Sequence, residues 1–122
     1  MTRAVRGAIQ VLENSRGAIE SASARLVGAM LAANGIPERR IVSIIFSVTH
    51  DLDAGNPATG LREAGFPSTP LFCAQEARVQ GAMPRVIRAL LTYGAPRRRL
   101  PVPVYLDGAE SLRPDLDHGS RA

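Results

Sequence analysis

With 122 residues and 45% hydrophobic content, the chain has the size of one domain with a real core, although a monomer this small buries only about two thirds of its extended surface. Its single cysteine excludes an intrachain disulfide and any cysteine-built zinc site, and no apolar run reaches membrane-spanning length. The formal charge of +4 comes from 15 basic residues, all arginine, whose planar fork suits carboxylates and phosphates and hints at anionic partners.

Residues 4–11, AVRGAIQV, read as a first strand in which Gly7 permits close backbone approach. Ser15 can cap a helix whose stripe is Ile19, Ala22, Leu26, Met30 and Ala33, ended by Asn34-Gly35. Residues 37–40 suggest a turn of helix. Residues 41–48, IVSIIFSV, are nearly all apolar and rich in β-branched residues, which fits a buried central strand. Asn56-Pro57 caps and opens a brief helix over 57–64, where Gly60 costs about 1 kcal/mol against alanine. Residues 70–73 are a short strand. Pro84 opens a second long helix that runs through Tyr93 and is closed by Gly94. Residues 102–106 are a strand whose Pro103 demands an edge or a bulge. Asp107-Gly108 turns the chain into a last short strand at 110–112, and the polar tail after Leu116 is loose.

This order argues for one α+β (mixed α/β) domain over residues 1–116, a sheet with its helices on one face, and a flexible segment at 117–122. The uncovered sheet face calls for a partner subunit. The N-terminal stretch reaches Glu13 too soon for a signal peptide, so the cytoplasm is the expected compartment.

The polar residues that stand out are Arg6 in the first strand, Arg62 in the short helix, Cys73 and Glu76 around the FCAQE stretch, Arg85 and Arg88 three apart in the second long helix, Tyr105, and Arg113. Each has an ordinary reading when taken alone. Arg6 is then an outward strand residue, Arg88 a solvated helix arginine, Tyr105 a core aromatic, Cys73 a small buried hydrophobe and Glu76 a turn carboxylate. His50 with Asp51 reads as a surface pair beside a turn rather than a general base. Phosphate-binding glycine loops and metal-ligand spacings are absent from the sequence. Cys73 has no base near it in sequence to make it a nucleophile. What remains is an arginine-rich pocket that works by binding and electrostatics.

Taken in order, Arg3-x-x-Arg6-Gly7-Ala8, Thr49-x-Asp51-Leu52, Pro57-Ala58-x-x-Leu61-Arg62, Pro70-Leu71-x-Cys73-x-Gln75-Glu76, Gly81-x-x-Pro84-Arg85-x-Ile87-Arg88, Val104-Tyr105-Leu106 and Leu112-Arg113-Pro114-Asp115-Leu116 cover nearly the whole chain. The set resembles the small monofunctional bacterial chorismate mutases of the trimeric α/β kind. The resemblance implies a homotrimeric pseudo-α/β-barrel, sheets inside and helices outside, with pockets between subunits. It also implies a cofactor-free rearrangement of chorismate to prephenate on the way to phenylalanine and tyrosine, with no metal, membrane or nucleic acid involved.

On that resemblance Arg6 would engage a substrate carboxylate and Arg88 would face the ether oxygen. Glu76 would accept from the ring hydroxyl, with Cys73 at the same end, and Tyr105 would hold the pyruvyl carboxylate. Arg62, Ala58, Thr59, Phe72, Leu112 and Arg113 would complete the binding wall. The chain departs from the pattern at Asn56 (often aromatic), at Thr59 (commonly lysine) and at Val102-Pro103 (usually a basic pair). Two other classes remain in view. One is a trimeric enamine or imine deaminase or a related metabolite-binding protein; the other is a nucleic-acid module, prompted by the arginines at 97–99.

Overall fold

The computed structural model describes residues 1–95 and 99–116. Its elements are β1 (Thr2–Gln10), α1 (Arg16–Asn34), a 3-10 turn (Glu38–Arg40), β2 (Ile41–Val48), α2 (Pro57–Glu63), β3 (Leu71–Gln75), β4 (Val86–Gly94), β5 (Val104–Leu106) and a second 3-10 turn (Ala109–Leu112). The expected tail at 117–122 and two of the arginines at 97–99 lie outside the described residues.

Alternation of side chains builds the sheet, whose order is β3-β2-β4-β1-β5. Val5, Leu91 and Ile44 are register partners, as are Ile9, Ile87 and Val48. Partners share a face, so these side chains form one apolar layer with Ile19, Leu26, Met30 and Leu61 of the helices. Both helices therefore cover the same face. Gly7 lies under α1, where a Cβ would come within 2.5 Å of Met30 Sδ. The opposite face carries Arg6, Leu90 and Ile45 in one row and Ala8, Arg88 and Ser47 in the next. Among the described residues no helix covers it, and Phe72, Ile45 and Leu90 stay 65%, 46% and 40% exposed there.

The helix ends follow the sequence. Ser15 Oγ accepts from the Ala18 N–H, Asn56 Oδ1 accepts from the Ala58 N–H, and α1 stops at Gly35 in the left-handed conformation. Buried Asn34 does more than end α1: its Nδ2 donates to the carbonyls of Met30 and Val102, and its Oδ1 accepts from the Val102 N–H at 2.7 Å. Val102 thus spends its backbone groups on α1, and the strand expected at 102–106 begins only at Val104. As Pro103 required, β5 is an edge strand.

Three other expectations are overturned. The second long helix expected from Pro84 through Tyr93 is instead strand β4, Val86–Gly94, the middle of the sheet. Leucine, alanine and arginine between Pro84 and Gly94 fit a helix, but Ile87, Ala89, Leu91 and Tyr93 are buried at period two and Val86, Ile87 and Thr92 are β-branched. Arg85 and Arg88 therefore share no helical row. Residues 109–112 form a 3-10 turn instead of a strand, because Asp107 and Gly108 both have positive φ and Ser111 Oγ donates back to the Gly108 carbonyl. Finally, Gly60 is where α2 crosses α1, and its missing side chain is what the crossing requires: a Cβ would stand 2.6 Å from Glu20 Cα.

Candidate active site

The site is built on the uncovered face. One row of register partners runs across it: Ala74, Ser47, Arg88, Ala8 and Tyr105. At about 4.8 Å per strand, Ser47 and Tyr105 are roughly 14 Å apart. The second 3-10 turn closes one end, where Ala8, Val86, Tyr105 and Ala109 make a small core with Leu112 packed against it. The result is a cleft of about 340 Å³ lined by Arg6, Ser47, Arg88, Tyr105, Leu112 and Arg113 over a floor of Ala8, Ile45 and Leu90. That volume suits a small metabolite.

Arg88 is the centre of the cleft. Its Nε donates to Glu76 Oε2 at 2.9 Å, and Ser47 Oγ donates to the same oxygen at 2.7 Å. Both Nη nitrogens of Arg88, and Glu76 Oε1, make no hydrogen bond among the described residues. One oxygen of the pair is thus used for positioning and the other is left for a ligand. The Glu76 N–H donates to the Val48 carbonyl at 2.8 Å, which extends the β2–β3 ladder one residue beyond β3. Glu76 and Arg88 also border a second hollow of about 290 Å³ beside Thr49 and His50.

Arg6 has no ion-pair partner among the described residues. Arg113 is held by Asp115 through Nε–Oδ1 at 3.1 Å and Nη2–Oδ2 at 2.9 Å. That hydrogen-bonded carboxylate, with a smaller share from Tyr105, raises the arginine's already high pKa. The cleft therefore gathers cations around an apolar floor, an arrangement that fits a small acid with more than one carboxylate. Among the described residues no three His, Cys, Asp or Glu side chains cluster to hold a metal ion.

The other sequence-predicted residues lie elsewhere in this chain. Cys73 partners Phe46 and packs on the helix-side core; burial pushes its thiol pKa up. Its thiol is therefore not among the groups brought to the cleft. Phe72 is on the cleft's side of the sheet but does not line it. Ala58 is buried in its own core, and Thr59 and Arg62 belong to α2, on the far side of the sheet. Ser47 was missed. Ser43 and Ser47 both break the apolar run of β2, and nothing in the sequence sets Ser47 apart; only its register opposite Arg88 does.

A carboxylate clamp sets where β4 starts. Arg85 has φ +53, unusual for a non-glycine residue. Its N–H donates to both oxygens of Asp51 at 3.1 Å, its Nε donates to the Val11 carbonyl at 2.9 Å, and its carbonyl accepts from the Val11 N–H. Thr49 Oγ1 donates to Asp51 Oδ1 and accepts from the Val86 N–H. Asp51 is thus a structural anchor, with exposed His50 beside it.

Burial alone would raise the Asp51 pKa. The Thr49 hydroxyl, the N–H groups of Arg85 and Asp51, and His50 together outweigh it and leave the value below the ordinary one. A depressed carboxylate contributes stability that is complete above its unfolded value of about 4 and is lost as pH falls through the folded value. Asp51→Asn should therefore be less stable by about 2 kcal/mol at neutral pH. Its stability should also fall less steeply below about pH 4, as read by urea titrations across the acid range.

A profile of the family chorismate mutase type I matches residues 2–116. The chain is 42% identical over 120 residues to chorismate mutase AroH of Thermus thermophilus, covering 96% of this chain and 98% of that one. It is 32% identical over 119 residues to chorismate mutase AroH of Bacillus subtilis, covering 95% and 93%. Among solved structures, a chorismate mutase from Clostridium thermocellum superposes with a TM-score of 0.85 at 37% identity, covering 89% of this chain and 98% of that one.

Proposed function

The chain belongs to the chorismate mutase type I family, and from that premise we propose that it rearranges chorismate to prephenate, with Arg88 as the principal electrostatic residue. The observation that carries the reading is the Arg88–Glu76–Ser47 arrangement, in which a cation is oriented through Nε while both Nη donors face an open cleft.

The reaction breaks one ether C–O bond and makes one C–C bond within the same molecule. No proton or electron is transferred, so no acid, base or redox group is required. Two tasks remain for the chain: to hold the diaxial conformer, and to meet negative charge that grows on the ether oxygen. Orientation lowers the barrier by removing freedom the reacting ends would otherwise keep. A cation already fixed where charge develops needs no reorganisation during the reaction.

Arg88 would face the ether oxygen, Arg6 and Tyr105 would hold the pyruvyl carboxylate, and Glu76 Oε1 would accept from the ring hydroxyl. Arg113 and Leu112 would form the outer wall. The uncovered apolar side chains Phe72, Ile45 and Leu90 fit burial against further copies in a trimer. In such an assembly a neighbour's Arg62 and Thr59 could reach a cleft that they do not reach in one chain.

The test is to add chorismate to purified protein, follow the loss of its ultraviolet absorbance and identify prephenate by NMR. An unchanged substrate spectrum would end the proposal. Sedimentation at three times the chain mass would support the assembly, and a monomeric mass would remove it.

Two substitutions separate positioning from packing. Ser47→Ala should lower kcat/KM about tenfold by releasing one anchor of Glu76, with stability changed by no more than about 1 kcal/mol. Cys73→Ala should keep kcat within about threefold while lowering stability by about 1 kcal/mol, since it removes one half-buried sulfur packed against the helix-side core. Steady-state kinetics and urea denaturation read both.

A further inference from the structure

We propose that a second cleft, on the helix side and at the far end of β4, binds a small organic anion that has an apolar ring. This cleft lies between the C-terminal end of α1, the first 3-10 turn and the residues around Ala95, and has a volume of about 310 Å³. Tyr93, which helps line it, is five residues along β4 from Arg88, roughly 16 Å away, and points to the opposite face. The two clefts share no lining residue.

Three arginines, Arg39, Arg40 and Arg99, line the cleft, the Arg99 guanidinium lying close to Gly35, and among the described residues no aspartate or glutamate does. None of the three has a hydrogen bond or ion pair among the described residues. Glu38 is their chain neighbour, yet it neither lines the cleft nor pairs with them. Three like charges around one hollow repel each other, and an anion placed among them relieves that repulsion. Arginine presents its donors in a fork that matches a carboxylate.

The floor is apolar. Ile36 is 7% exposed and Tyr93 5% exposed, with Leu100 beside them. The Tyr93 hydroxyl forms no hydrogen bond among the described residues and is not enclosed, so it is open to a ligand in the cleft. Opposite Tyr93 in the β1–β4 ladder stands Arg3, whose Nε is buried and equally unpartnered. An apolar cavity of about 150 Å³ holds benzene; this one is about twice as large. It has room for a phenyl ring plus a short carboxylate arm reaching the arginines.

The test titrates the full-length protein with 3-phenylpropionate and, separately, with its neutral analogue 3-phenylpropan-1-ol, following backbone amide shifts by NMR. The acid should saturate below about 1 mM and bind at least about tenfold more tightly than the alcohol. Its largest shifts should fall on Gly35, Gly94 and Ala95, with Glu76 and Arg88 unmoved. Arg39→Gln combined with Arg99→Gln should weaken the acid about tenfold, and Tyr93→Phe should weaken it less. Equal binding of acid and alcohol, shifts centred on Arg88, or no saturation below about 1 mM would each overturn the proposal. None of these results depends on turnover, so the proposal can fail while the mutase reading stands.

Discussion

Replacing Arg88 with alanine is expected to lower kcat with chorismate about a thousandfold or more, while the protein keeps its fold. Stability should hardly change. The Arg88 side chain is 41% exposed and among the described residues its one ion-pair partner is Glu76, and pairs so open to water are worth about 1 kcal/mol or less. The rate effect is of another order because the two Nη donors have no other task among the described residues. A neutral isostere, citrulline at this position, should lose nearly as much as alanine, since it keeps the shape and the Nε donor but loses the charge and turns one Nη donor into a carbonyl acceptor. Arg88→Lys should recover only part of the loss. An ammonium is a point charge and cannot bond Glu76 along one edge while presenting two donors along another. If the loss belongs to the transition state, kcat falls and KM moves little. Full activity in the alanine or citrulline variant would remove the electrostatic account.

Gly60→Ala is expected to destabilise the protein by about 2 kcal/mol, although helix propensity alone predicts a gain of about 1 kcal/mol. The two effects have opposite signs, and the geometry decides between them. A Cβ at residue 60 would meet Glu20 Cα and Cβ at 2.6 Å and the Glu20 carbonyl oxygen at 2.8 Å. The first of these atoms is backbone in the first turns of α1, next to buried Ile19, so it cannot swing aside as a side-chain tip could. Separating the helices would also strain the bond from Ser23 Oγ to the Pro57 carbonyl, 2.9 Å long and buried. Thermal melting should show a fall of several degrees. A rise would mean that the two helices cross more loosely than described.

Much of the framework was legible because its signals are local. Ser15, Asn56 and Gly35 act as caps, and Ile41–Val48 is a strand inside the sheet, although it is buried mainly on one face and not on both as expected, with Val42 and Ile45 about half exposed. The ordered fragments from Arg3 to Leu116 were enough to suggest the family. The β4 segment was not legible, since VIRALLTYG satisfies both periods and only pairing with β1 and β2 selects the strand. Cys73 and Phe72 show the same limit. Adjacent strand residues point to opposite faces, and the FCAQE stretch does not reveal which of them joins Glu76. Ser47 became visible only when register brought it opposite Arg88. The tightness at Gly60 is a property of two helices meeting, which no propensity contains.

The Asp51–Arg85 clamp carries a consequence for how the chain tolerates change in length. A strand keeps count by parity. One residue added between Arg85 and Arg88 would send every later side chain of β4 through to the other side, burying the guanidinium under α1 and lifting Leu91 into the cleft. Two added residues would restore the facing, though not the depth. The clamp thus fixes the origin of that count, and the chemistry of the sheet is written in odd and even numbers measured from it.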